Sequence, residues 1–155
     1  MMIFYLCALL IGVVAGLRAM TAPTAISWAA HLRWLPLDGT PLSFLGATIT
    51  PYLFTLAAIA ELITDQLPTT PSRKAPLGFG ARIVTGTLSG CAIGMAGGSW
   101  LFGAVAGAIG AVIGTLGGAA ARQWMATAFG RDRPAALLED IVAIGSAFGI
   151  ILFLK

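Results

Sequence analysis

Charged side chains are scarce in this sequence. Only 10% of its 155 residues are Asp, Glu, Lys or Arg, whereas 58% are hydrophobic, and the mean hydropathy is +0.93. A soluble domain carries roughly 25% charged residues, most of them on its surface. This chain cannot cover a water-facing exterior with so few charges. We therefore expect lipid to surround most of it.

Residues that build metal and catalytic sites are also scarce. The chain has one histidine and two cysteines, and both cysteines (Cys7 and Cys91) lie in apolar runs without metal-binding spacing. It contains no HExxH, nucleophile-elbow or phosphate-loop pattern. We expect no enzymatic activity, no metal and no cofactor. The net charge of +3 does not indicate nucleic-acid binding, because basic residues in such a chain mark cytoplasmic loops.

Long apolar runs, by contrast, fill the chain. A membrane-spanning helix needs about 20 residues, so the length allows five or six spans in a single domain, 1–155, and no separate soluble domain. The predicted spans are 2–17, 44–65, 81–97, 103–121 and 135–154. The first run has no basic residue before it, so we expect a retained helix instead of a cleaved signal peptide.

A shorter amphipathic stretch, 22–35, lies between the first two runs. One of its faces carries Thr24, Ser27 and His31, and another carries Ala25, Trp28, Leu32 and Leu35. Together with Trp34 this pattern predicts a short interfacial or re-entrant helix. The alternative is a short sixth span.

Lysine and arginine are unevenly distributed between the two sides of this arrangement. With five spans, six of them fall on one side and three on the other; a sixth span makes the distribution seven against two. The positive-inside rule places the loops 66–80 and 122–134 in the cytoplasm and the C-terminus outside. The expected location is the bacterial inner membrane. Only the side of the N-terminus differs between the two topologies.

Glycine recurs at intervals of four residues. The series are Gly86, Gly90, Gly94 and Gly98; Gly103 and Gly107; Gly110, Gly114 and Gly118; and Gly145 and Gly149. In lipid, small residues let helix backbones approach closely, and dispersion contacts then hold them together. The spacing predicts glycine-zipper packing, with 81–97 and 103–121 as a closely crossed hairpin. The same stripes predict interfaces for a homo-oligomer.

The remaining acids and arginines lie near the ends of the predicted helices, on the cytoplasmic side. The candidate ion- or solute-handling residues are Glu61, Asp65, Arg82, Arg122, Glu139 and Asp140. Glu61 and Asp65 share one helical face at a C-terminus, where the helix dipole disfavours negative charge. Ionisable groups at membrane depth are costly, so they mark functional sites by default. The alternative is that these groups form structural ion pairs.

A possible anion contact precedes the short helix. Arg18 follows the first apolar run directly, and Thr21 and Thr24 lie in the first turns after it. Free amides at a helix N-terminus bind anions, so Arg18, Thr21 and Thr24 together could hold one. The alternative is that Arg18 only anchors the first helix at the membrane interface.

Four stretches carry a resemblance: "GLRAMTAP" (16–23), "ELITDQLPTTPSR" (61–73), "ARIVTGTLSG" (81–90) and "LLEDIVAIG" (137–145). Together they resemble a family of small bacterial integral membrane proteins catalogued as a domain of unknown function. The chain departs from that family's usual residues at Gln66 and Lys74. The resemblance implies a fold and a location, and no residue role follows from it.

The expected function is therefore that of a small inner-membrane transporter or channel-like protein for an ion or small solute. The lipid bilayer, the transported species and further copies of the chain are the expected partners. The alternative is a non-transporting membrane scaffold, an assembly factor or a lipid-handling protein.

Overall fold

The architecture is entirely helical in the residues that the computed structural model describes, 1–65 and 75–155. The helices are α1 (Met2–Leu17), α2 (Thr21–His31), α3 (Thr50–Thr64), α4 (Pro76–Ala96), α5 (Trp100–Phe129) and α6 (Asp132–Leu154). A short 3-10 helix, Ser43–Gly46, precedes α3. The all-α prediction is confirmed for this part of the chain.

The predicted run 44–65 is not one continuous helix. The 3-10 turn covers its start, and α3 begins at Thr50. Pro51 occupies the first turn of α3, where its missing amide is tolerated because that position has no intrahelical acceptor. This predicted span was therefore several residues too long at its start.

Two further helices extend beyond their predicted ends. Helix α4 begins at Pro76, five residues before the predicted start at 81. Helix α5 continues to Phe129, so most of the predicted loop 122–134 is helical. Gly130 ends α5 in the left-handed conformation at φ 66°, which a glycine adopts without steric cost.

Only α5 and α6, of the helices described, are long and apolar enough to cross a membrane by length and composition. Helices α1 and α3 are apolar but shorter, with 16 and 15 residues. The structure therefore supplies two candidate spans by this criterion, where five were predicted.

Helices α1, α4 and α5 form the centre of the bundle, and glycines occupy their contacts. A Cβ on Gly90 would collide with the Gly103 carbonyl and lie 2.8 Å from Gly107 Cα. A Cβ on Gly12 of α1 would lie 2.8 Å from the same Gly107 Cα. The three backbones therefore approach at distances that a larger residue could not accept.

The helices alternate in direction along the bundle. Arg18, Asp65 and Arg122, at or near the C-terminal ends of α1, α3 and α5, meet at one end, which we call the charged end. Helix α2 begins there, and the chain after it reaches Trp34, whose ring lies 4.9 Å from Lys155 Nζ at the far end of α6. Thus α2 leads away from the charged end instead of returning to it.

Candidate functional site

The charged end is organised around Arg18, which is completely buried. Helix α1 stops there because Arg18 adopts an extended backbone conformation, φ −140° and ψ 111°, while its amide still donates to the Val14 carbonyl at 2.8 Å. The extended backbone directs the side chain into the bundle. The guanidinium is therefore enclosed by protein instead of extending outward from the end of α1.

The Arg18 guanidinium joins two other helices to α1. Its Nε donates to Asp140 Oδ1 of α6 at 2.6 Å, and its Nη1 donates to Asp65 Oδ2 at the end of α3. Both carboxylates are nearly buried, with side chains 11% and 12% exposed. A buried charge is tolerated only when paired and hydrogen-bonded, and Arg18 meets both conditions.

Arg122 of α5 forms a second centre in the same network. Its Nε and Nη2 donate to the two oxygens of Asp132 at 2.9 and 2.6 Å, a bidentate pair. Its Nη1 donates to Asp65 Oδ2 at 3.3 Å and lies 3.8 Å from Glu139 Oε2. Asp132 was not among the residues predicted from the sequence. The available signal was Gly130, since a turn there brings the first residue of α6 back beside α5.

Asp65 is the link between the two centres. Its Oδ2 atom contacts Nη1 of Arg18 and Nη1 of Arg122, so one oxygen serves guanidiniums from α1 and α5. Charge-assisted hydrogen bonds are stronger than neutral ones. The arrangement therefore ties three helix ends together through a single carboxylate.

Glu61 lies one turn before Asp65 and has a different partner. Its two carboxylate oxygens accept hydrogen bonds from the Ala19 and Met20 amides, both at 2.8 Å. These amides belong to the turn that opens α2, whose N-cap residue Met20 has no capping side chain of its own. Glu61 therefore satisfies, from α3, the amide of the N-cap residue and the amide before it, a role like that of the glutamate that bonds the N-cap amide in a capping box.

At the predicted anion contact, Arg18, Thr24 and the amides before α2 all have partners within the chain. Glu61 takes the amides before α2, and Arg18 is paired with carboxylates of this chain. The Thr24 hydroxyl donates to the Met20 carbonyl at 2.6 Å and the Phe54 carbonyl at 2.9 Å. Thr21 is 8% exposed.

Of the remaining candidates, Glu139 lies beside this network and Arg82 is buried in α4. Glu139 is 5% exposed, and its Oε1 would lie 3.3 Å from a Cβ on Gly118 of α5. Arg82 is also 5% exposed, two turns into α4 instead of at its start. Arg73 and Lys74, and with them the "LPTTPSR" string, lie outside the described residues.

The network consists of ion pairs and capped amides, with no metal centre among the residues described. Within 1–65 and 75–155, no group of three His, Cys, Asp or Glu side chains could hold a metal ion. The carboxylates face guanidinium groups and backbone amides, which already supply the positive partners that a cation would.

Replacing Glu61 by alanine tests its capping role. We expect the change to destabilise the protein by about 1–3 kcal/mol, the cost of leaving a hydrogen-bond donor without its acceptor. The Ala19 and Met20 amides should exchange with solvent deuterium faster, because they lose their acceptor. Glu61→Gln retains one acceptor oxygen and should show an intermediate effect. Unchanged exchange at both amides in Glu61→Ala would contradict the role.

Comparison with known proteins adds no relative: no family model, curated protein or solved structure matches this chain.

Proposed function

We propose that this chain is a small multi-pass protein of the bacterial inner membrane that transports an ion or small solute. The network of Arg18, Asp65, Arg122, Glu139 and Asp140 would handle charge at its cytoplasmic end. The observation that carries the proposal is the sharing of Asp65 Oδ2 between Arg18 and Arg122. Intramembrane ionisable groups usually mark ion pathways or relays.

A shared carboxylate suits a protein that must alternate between two arrangements. If Asp65 pairs only with Arg18, α3 is bound to α1; if it pairs only with Arg122, α3 is bound to α5. Either change needs a small movement of one carboxylate. Transport requires two states that open to different sides, and a two-state element of this kind can couple them.

The direction of the helices supports a six-crossing form of the proposal. In a topology of five spans plus a short re-entrant helix, the chain would come back to the charged end after α2. Instead, Trp34, which follows α2, lies beside Lys155 at the opposite end of the bundle. From Trp100 to Arg122, a separation of 22 positions, α5 rises about 33 Å at 1.5 Å per residue, close to the ~30 Å hydrocarbon core. The proposal thus places the charged end in the cytoplasm and both termini outside.

A homo-oligomer forms part of this proposal. Gly145 and Gly149 lie on the outer face of α6, where an added Cβ would meet nothing within 4 Å. This spacing permits a second helix to approach closely. The oligomer is consistent with the small size of a single chain.

Ion flux into proteoliposomes tests the proposal. Purified protein would be reconstituted with trapped dyes that report H⁺, Na⁺ and K⁺, and wild type compared with Asp65→Asn and Glu61→Gln. We expect flux in the wild type and a loss of about tenfold or more in Asp65→Asn, because an amide cannot form the charged pairs. Asp38→Asn, at an exposed acid outside the network, is the matched control and should leave flux unchanged.

A non-transporting membrane scaffold or a lipid-handling protein is the second candidate. It is favoured by the internal pairing of the network. Glu61 bonds the backbone amides before α2, and Arg18 joins α1 to α6. On that account Asp65→Asn lowers stability, and no ion flux is seen in wild type or variant. Flux in wild type that survives Asp65→Asn unaltered would exclude the acid-coupled transporter.

A further inference from the structure

A slot-shaped cavity of about 360 Å³ lies between α2, α3 and α6. Each helix contributes one face to it: α2 with the residue that follows it from Thr21 to Leu32, α3 from Thr55 to Leu62, and α6 from Ile144 to Ile151. On α3 and α6 the lining residues follow the spacing i, i+3, i+4, i+7, which is one stripe of a helix. The slot therefore runs along the helices for two to three turns, a shape that fits a chain and not a compact solute.

The lining is almost entirely apolar, and the polar side-chain atoms of Thr24, Trp28 and Thr55 are already bonded to the protein. Thr24 donates to the Met20 and Phe54 carbonyls, and Trp28 Nε1 donates to Thr55 Oγ1 at 3.0 Å. Thr55 Oγ1 in turn donates to the Pro51 carbonyl at 2.6 Å. A polar ligand would lose its own hydrogen bonds here without replacement, which costs several kcal/mol in an apolar site. The walls therefore select a hydrocarbon.

The slot opens sideways onto the apolar outer surface of the bundle. Ile59 of α3 and Phe148 of α6 both line it, yet they are 47% and 61% exposed. Helix α3 packs mainly on α2 and the 3-10 helix, so the space between α3 and α6 is left open. In a bilayer this opening faces lipid tails.

The end of the slot away from the charged end carries the marks of the headgroup layer. Trp34 lines it, and the Lys155 ammonium lies over the Trp34 ring. Tryptophan is enriched at headgroup depth, where its ring bridges apolar and polar surroundings. In residues 31–50, the charge of the one arginine, Arg33, is balanced by that of the one acid, Asp38. Lys155 therefore adds a net positive charge beside the slot.

We propose that the slot binds one hydrocarbon chain of an anionic glycerophospholipid, with the lipid phosphate beside Lys155 and the chain running toward Leu62. The walls supply the apolar contacts, and the lysine supplies charge complementarity to the phosphate. This site goes beyond the proposed transport function, because it uses neither the Arg18 network nor any ion. A bound lipid also fills the space that would otherwise separate α3 from α6.

Native mass spectrometry of protein taken from vesicles tests the site. The vesicles would contain equal amounts of phosphatidylglycerol and phosphatidylcholine. We expect the wild type to retain phosphatidylglycerol preferentially, and Ala58→Trp, which fills the slot from α3, to retain about tenfold less. Ala60→Trp adds the same group to an exposed position on α3 outside the slot and should retain lipid as the wild type does.

Two further variants make the outcome decisive. Ala25→Leu fills the slot less severely from α2, and serves if Ala58→Trp fails to fold; it should also reduce retention. Lys155→Gln should keep lipid bound but lose the preference for phosphatidylglycerol.

Equal retention by the slot-filling variants and Ala60→Trp would overturn the site. Equal retention of the two lipids by the wild type would overturn the assignment of the headgroup. Neither result bears on ion flux, so this proposal and the proposed function can fail separately.

Discussion

Replacing Arg18 by methionine is expected to destabilise the protein by about 3–5 kcal/mol, the range seen when one partner of a buried ion pair is removed. Methionine fills much of the volume but leaves the Asp140 carboxylate, 12% exposed, without its guanidinium. Asp65 would retain Arg122 at 3.3 Å. The loss would be measured by chemical unfolding of the purified protein in detergent micelles.

The controls for this prediction separate a buried pair from a general loss of charge. Arg33→Met removes an exposed arginine and should change the free energy of unfolding by less than about 0.5 kcal/mol. Adding Asp140→Asn to Arg18→Met should recover part of the loss, because the coupled residues are not additive. If Arg18→Met unfolds at the same denaturant concentration as Arg33→Met, Arg18 does not hold the charged end together.

Gly107→Ala is expected to disrupt the centre of the bundle, with a loss of about 3 kcal/mol at the upper end of the usual cost of overpacking. The added Cβ would collide with the Gly86 carbonyl and lie 3.0 Å from Gly90 Cα. Both neighbours are backbone atoms, which cannot rotate away as a side chain can. Helices α4 and α5 would have to separate at this contact.

Gly117→Ala is the matched control, because Gly117 lies on the same helix with nothing within 4 Å of an added Cβ. Alanine is favoured over glycine in a helix by about 1 kcal/mol, so this change should leave the protein as stable or more stable. Thermal unfolding in detergent distinguishes the two. Similar melting temperatures for both variants would mean that α1, α4 and α5 are not packed through Gly107.

The convergence of the acids and arginines could be predicted from the sequence, but their pairing could not. Hydropathy sets the ends of the apolar runs, and these ends placed Asp65, Arg122 and Asp140 at comparable depth. The partner of each acid depends on how the helices turn about their axes, which hydropathy does not record. Arg18 looked like an interface residue because it follows an apolar run directly, and only the extended backbone at that position turns it inward.

For the short helix α2, too, some features could be predicted from the sequence and others could not. Its two faces were visible in the sequence, and one of them, with Ala25, Trp28 and Leu32, lines the cavity. Its direction was not visible, because 11 residues rise only about 16 Å and a helix of that length can cross, return or lie flat. The capping of α2 by Glu61 was also beyond the sequence, since the two lie some forty residues apart and meet only in the fold.

Ion flux into proteoliposomes that contain the Arg122→Gln variant tests most directly whether Asp65 works by alternating between two arginines. Glutamine removes the charge from α5 and leaves Asp65 with Arg18, so the protein should remain folded but fixed in one arrangement. We predict that flux falls by about tenfold or more in reconstituted Arg122→Gln, and that Arg122→Gln with Asp65→Asn is no worse than the more severe single change. Flux at the wild-type rate in folded Arg122→Gln would contradict the account.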